Sequence, residues 1–169
     1  MSGKQTMLII DGTIGSNIPA FLARLNEESL PCEIIMYEEY FAKHSSCRDH
    51  PTSLKLRRTG HDDLQGIIYM RVMPEIAFKR TSSQLTLTLE QIQQVYQQKN
   101  EQFIENKNNP KELQDLPVLV LNGNIDFQTD FSQFYSHLFY IKRFLKQIQE
   151  KKEIAMGIYK EKSPQRHCC

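Results

Sequence analysis

Apolar and polar positions alternate along this chain in blocks that change period. Met7-Leu8-Ile9-Ile10 is an unbroken apolar run that stops at Asp11-Gly12, the pattern of a strand buried on both faces and closed by a tight turn. Beyond the turn, Ile18, Phe21, Leu22 and Leu25 recur at helical spacing, with Asn17 placed as an N-cap and Pro19 tolerated in the first turn. Pro31 ends that helix, and Glu33-Ile34-Ile35-Met36 predicts a second strand leading into the aromatic and acidic stretch from Tyr37 to Phe41. Residues 43–63 show no period and predict a long loop, with only Leu54 and Leu56 alternating as in a strand. Gly66 to Val72 predicts a third strand, closed by Met73-Pro74-Glu75 and followed by a short helix to Arg80. Leu85, Leu89, Ile92, Tyr96, Lys99 and Phe103 predict a glutamine-rich amphipathic helix. Asn106 to Pro110 forms its polar exit, and Pro117 to Leu121 is a fourth apolar strand ending at Asn122-Gly123-Asn124. The longest stripe, Phe127, Phe131, Phe134, Leu138, Ile141, Leu145 and Ile148, predicts a helix whose apolar face packs on the sheet or on another subunit.

Apolar strands alternating with helices specify an α/β, three-layer fold with a mostly parallel sheet of about four strands flanked by helices. Residues 1–152 are read as one domain and residues 153–169 as a flexible basic tail. Such sheets bind ligands beyond the carboxyl ends of their strands, which directs attention to Gly12–Ala20, Tyr37–Phe41, Met73–Arg80 and Asn122–Phe127.

With 169 residues and 21 basic against 20 acidic side chains, global charge gives no reason to expect nucleic acid or an anionic membrane as partner. No window is long and apolar enough for a membrane span, and nothing reads as a signal or presequence. The scattered cysteines, Cys32, Cys47, Cys168 and Cys169, make no disulfide framework, so a reducing compartment, the cytoplasm, is the default expectation.

The turn Gly12-Thr13-Ile14-Gly15-Ser16-Asn17 stands where a phosphate-binding loop would stand between strand and helix. That loop needs a further glycine for close backbone approach, a lysine for the phosphates and a Ser or Thr hydroxyl for magnesium. Asn17, Ile18 and Pro19 occupy those places.

The sequence resembles the deoxynucleoside kinase family, P-loop kinases that include an accessory subunit of mitochondrial complex I. Ile10 to Gly15 looks like the family's Glu-Gly-Asn-Ile opening, and Glu38-Glu39 falls where the family keeps a glutamate acting as general base. Gly66 to Glu75 with Arg80 is similar to the family's strand, Pro-Glu turn and start of lid. Val118 to Phe127 resembles its last strand and the Asn-Glu-Asp-Phe loop beside the nucleotide base. The resemblance implies Glu38 or Glu39 as catalytic base, and Gly12, Thr13, Ile14, Gly15, Ser16, Asn17, Arg80, Asp126 and Phe127 as nucleotide-binding positions. It implies Mg and ATP as cofactors and a deoxynucleoside as substrate only where activity is retained, with mitochondria as the alternative compartment.

The departures are specific. The phosphate loop lacks its Gly-Lys-Ser core, Thr81-Ser82-Ser83-Gln84 replaces the arginine-rich lid, and about twenty residues replace the family's central strand and helices. Leu54 to Thr59 is the candidate remnant of that strand. Phosphoryl transfer depends on positioning and charge stabilisation, so these losses predict a pseudokinase, a degenerate member whose fold is kept as an interaction or scaffold module. Two alternatives stand beside it: an active ATP-dependent deoxynucleoside kinase with Arg80 as the surviving lid cation, and a shortened kinase isoform with apolar surface exposed around the missing strand. Expected partners are another protein, or a second copy, docking on the amphipathic helices.

Three further features have bland default readings. His44, Cys47, His50 and His61 have spacings a zinc site could use, but no paired Cys-x-x-Cys supports one, so no metal is expected. Lys43, Arg48, Lys55, Arg57 and Arg58 make the loop locally basic, as solvated loops often are. Cys168-Cys169 resembles the doubly prenylated ending of Rab GTPases, but the GTPase motifs such lipidation depends on are missing, and unmodified thiols are the default.

Overall fold

In the computed structural model, residues 6–48, 64–81, 86–126 and 129–155 are described. The elements are β1 (Thr6–Gly12), α1 (Ile18–Leu25), β2 (Cys32–Met36), α2 (Tyr37–Arg48), β3 (Leu64–Arg71), α3 (Pro74–Thr81), α4 (Leu89–Phe103), a single 3-10 turn (Lys111–Leu113), β4 (Val118–Asn122) and α5 (Phe131–Ala155). The strands form one parallel sheet in the order β2-β1-β3-β4, an α/β fold. β1 is central because its run is apolar on both faces: Leu8, Ile9 and Ile10 are all fully buried.

Side chains alternate across the sheet, so each strand feeds two cores. Leu8, Ile10, Ile68, Met70 and Leu121 face α1 and α5, where they meet Phe21, Leu25, Phe134, Leu138 and Ile141. Ile9, Ile67 and Tyr69 face the other way, toward Tyr40 of α2, Phe103 of α4 and Leu113. A third small cluster of Val72, Ala77 and Ile92, with Ile14 beside it, closes the carboxyl edge under α3 and α4.

Several boundaries differ from the sequence expectation. Residues 43–48 are not loop but the end of α2, which starts directly after Met36 without a connecting turn. Its periodicity is hidden because, of its described side chains, the buried and half-buried ones (Tyr37, Tyr40 and Phe41) all stand in its first turn and a half. α4 begins at Leu89 behind a capping box: Thr88 Oγ1 accepts from Gln91 N at 3.2 Å and Gln91 Oε1 accepts from Thr88 N at 2.8 Å. Asn17 does stand at the N-cap of α1, in the left-handed region at φ 52°, but its side chain makes no cap bond. α5 continues to Ala155, so residues 153–155 are helix rather than tail. Phe131, expected within the buried stripe of α5, is 63% exposed.

β2 pairs directly with β1 from Thr6↔Cys32 to Ile10↔Met36, and none of the exposed large apolar side chains of the described residues lies on either strand. The apolar scar expected of a shortened isoform is thus not seen there. The candidate strand remnant at residues 54–59, His50, His61, Phe127, Cys168 and Cys169 lie outside the described residues. Among the described residues, no helix is long and apolar enough to cross a membrane, and no group of three or more His, Cys, Asp or Glu side chains is arranged to hold a metal ion.

Candidate functional site: a cleft at the carboxyl edge of the sheet

Where β1, β3 and β4 end, their following turns and α5 enclose a cleft of about 440 Å³. Gly15, Ser16 and Asn17 line it from the first turn, Arg80 and Thr81 from α3, Gly123, Ile125 and Asp126 from the turn after β4, with Met70 and His137 behind. The position follows from topology, since parallel strands all deliver their outgoing turns to the same edge. The volume is that of a small-molecule site.

The first turn is tied to the end of β3 and to itself by several hydrogen bonds. Thr13 N donates to Met70 O at 3.0 Å, Thr13 Oγ1 donates to Val72 O at 3.2 Å, and Thr13 Oγ1 accepts from Val72 N at 2.8 Å. Ser16 Oγ donates to Thr13 O at 2.7 Å, which folds its hydroxyl back over Gly12. A Cβ on Gly12 would meet that hydroxyl at 2.5 Å and Met70 O at 2.7 Å, so only glycine fits there. Gly15 holds φ +89°, and a Cβ on it would stand 3.0 Å from Ala77 Cα.

Arg80 closes the cleft from α3. Its Nη1 donates to Gly15 O at 3.0 Å and to Gly123 O at 2.8 Å, and its Nη2 donates to Asn124 O at 2.6 Å. One guanidinium thereby joins the turn after β1 to the turn after β4, a task suited to its planar fork of donors. Met73 N donates to Asn124 Oδ1 at 2.8 Å and Gly123 N to Arg71 O at 2.8 Å, so all three turns are stitched together.

His137 is the residue that sequence reading passed over. It sits within the apolar arc of α5, is 2% exposed, and packs edge-on against Phe21 at 5.7 Å between ring centroids. Burial pushes its pKa down, opposed by a hydrogen bond with the Asn122 backbone. Its Nε2 lies 3.2 Å from Gln133 Nε2, so a neutral ring with its proton on Nδ1 can donate to Asn122 O and accept from Gln133. The available signal was a lone histidine among Phe134, Leu138 and Ile141 on the buried face.

The expected site residues are therefore brought together in part. Gly15, Ser16, Asn17, Arg80 and Asp126 share the cleft. Gly12 and Thr13 support its floor from below, and Ile14 packs into the Val72 cluster instead. Glu38 and Glu39 are exposed in the first turn of α2 and do not line it. Carboxylates in a first turn interact favourably with the positive end of the helix whether or not they do chemistry.

On the opposite face of the sheet a second polar cluster lies under α4. Lys99 Nζ donates to Asp11 Oδ2 at 2.6 Å, and Tyr69 OH donates to Asn100 Oδ1 at 2.6 Å. Burial pushes the Tyr69 hydroxyl pKa well above the usual tyrosine range. Lys99, whose stem the sequence pattern places along the apolar face, thus carries its ammonium to the end of β1.

Compared with protein-family models and with curated proteins, the chain matches none.

Proposed function

We propose that this chain is a non-catalytic, deoxynucleoside kinase-like protein that works as an interaction module, with the cytoplasm as its compartment. The reading is carried by the Arg80 clasp. The cation that an active lid would bring to a phosphate is spent on three backbone carbonyls. The hydroxyls of Thr13 and Ser16 donate to Val72 O and Thr13 O, and Asp126 is the carboxylate on the described wall. Among the described residues, no lysine lines the cleft. With Arg80 so engaged, the cleft lacks the free cations that stabilise transferring charge, the main source of rate in phosphoryl transfer.

The second reading, an ATP-dependent deoxynucleoside kinase, is favoured by one observation: a cleft of ligand size stands at the expected edge with Asn17 and Asp126 on its wall. Titration calorimetry of the folded chain with Mg-ATP, then with deoxythymidine and deoxycytidine, separates the two. The interaction-module reading expects no heat from nucleotide or nucleosides. Saturable binding of both, followed by nucleoside phosphorylation, overturns it.

A further inference from the structure

At the amino edge of the sheet, away from the cleft, the start of β1, the turn before β2 and the later turns of α5 enclose a second hollow of about 450 Å³, again the size of a small-molecule site. Ser29, Leu30 and Pro31 line it from the turn, Lys142, Leu145 and Lys146 from α5. Leu145 is part of the main core and Leu30 packs against it, so the floor of the hollow is continuous with the apolar interior between the sheet, α1 and α5. Pro31 adds exposed apolar surface beside them. Lys142 and Lys146 stand one helical turn apart, both exposed, and neither is ion-paired with a described residue. The turn opposite them is held by its own backbone: Glu28 N donates to Leu25 O at 2.9 Å and Leu30 N to Glu28 O at 3.0 Å. That wall is therefore formed before any ligand arrives, which lowers the ordering cost of binding.

We propose that this hollow binds a free fatty carboxylate, with its chain on Leu30, Pro31 and Leu145 and its carboxylate between the ammonium groups of Lys142 and Lys146. Charge selects the head group: among the described residues the lining holds two cations and no acidic side chain, so an anion is attracted and a cation repelled. Shape and chemistry select the tail. The described lining has no aromatic side chain, which leaves a nucleobase or other flat ring nothing to stack on, whereas an aliphatic wall gains from every methylene it removes from water. The lysine stems can lie along the chain while their charged ends stay at the rim, the arrangement long cationic side chains adopt at an apolar boundary. This site is independent of the interaction-module reading, because none of its described lining residues lines the carboxyl-edge cleft.

Titration calorimetry of the full chain with sodium dodecanoate, kept below micelle formation, is the test. The expected result is saturable binding at one site per chain, with affinity rising from octanoate through decanoate to dodecanoate by up to roughly four-fold per methylene. Lys142→Met combined with Lys146→Met keeps the apolar stems and is expected to weaken dodecanoate about ten-fold or more, the scale of losing charge-assisted bonds. Lys142→Arg combined with Lys146→Arg is expected to retain binding. Both positions are exposed, so circular dichroism melts of the variants should match the parent and serve as the folding control. The parent chain titrated with dodecyltrimethylammonium, the same tail under a positive head, supplies a control that needs no variant, and it is expected to give no saturable binding. Three outcomes overturn the inference: no saturable binding of dodecanoate, equal binding of the cationic amphiphile, or a dodecanoate affinity indifferent to loss of both lysines. All three leave the interaction-module reading standing, because that reading fails only on nucleotide and nucleoside binding.

Discussion

The Arg80 guanidinium donates to the Gly15 carbonyl at 3.0 Å across 65 residues of sequence, and the same nitrogen donates to Gly123 O at 2.8 Å. This single side chain links the turns after β1 and β4. A charged donor bonded to neutral carbonyls makes stronger hydrogen bonds than a neutral one, and here the acceptors would otherwise face an emptier cleft.

Arg80→Ala is expected to lower stability by about 2–3 kcal/mol, the range for losing charge-assisted bonds while leaving part-buried carbonyls unpaired. Arg80→Lys recovers little of it, since one ammonium cannot span carbonyls on two turns. Urea unfolding of both variants checks this, and wild-type stability in Arg80→Ala would show that the clasp contributes nothing.

The ion pair between Lys99 and Asp11 is short at 2.6 Å and its side chains are 26% and 15% exposed, so it is screened by water less than a surface pair. A double-mutant cycle on Asp11→Asn and Lys99→Met is expected to give a coupling of about 1 kcal/mol that changes little between low and moderate salt. A coupling near zero would reduce the pair to a packing contact made by the lysine stem.

His137 makes stability depend on pH. Its pKa is lowered in the fold from the ordinary value of 6.5 by burial, so below that value the unfolded chain takes up a proton that the native state refuses. The native state is thus fully favoured above about pH 6.5, and stability falls as pH drops from there toward the lowered folded value. Thermal melts between pH 7.5 and 5.5 should show a falling midpoint, and His137→Gln should flatten that part of the profile. An unchanged slope in the variant would assign the dependence to other groups.

The strands, the order of elements along the chain and the helical faces of α1 and α4 were legible because each is written in local periodicity over a few turns. The α/β class followed from their alternation. So did the edge of the sheet where the cleft lies, and with it the company of Gly15, Ser16, Asn17, Arg80 and Asp126. Local pattern misjudged α2, whose described buried and half-buried side chains all stand in its first turn and a half, and Phe131, whose place in an apolar stripe did not bury its ring. Only the tertiary structure decided that β2 lies against β1, that Arg80 is bonded to three carbonyls, that His137 stands behind the cleft and that Lys99 reaches Asp11. Those relationships join residues far apart in the chain, through the directions side chains take after the sheet is assembled. A one-dimensional pattern specifies which residues can be buried or charged, and the packing of the layers specifies which of them meet.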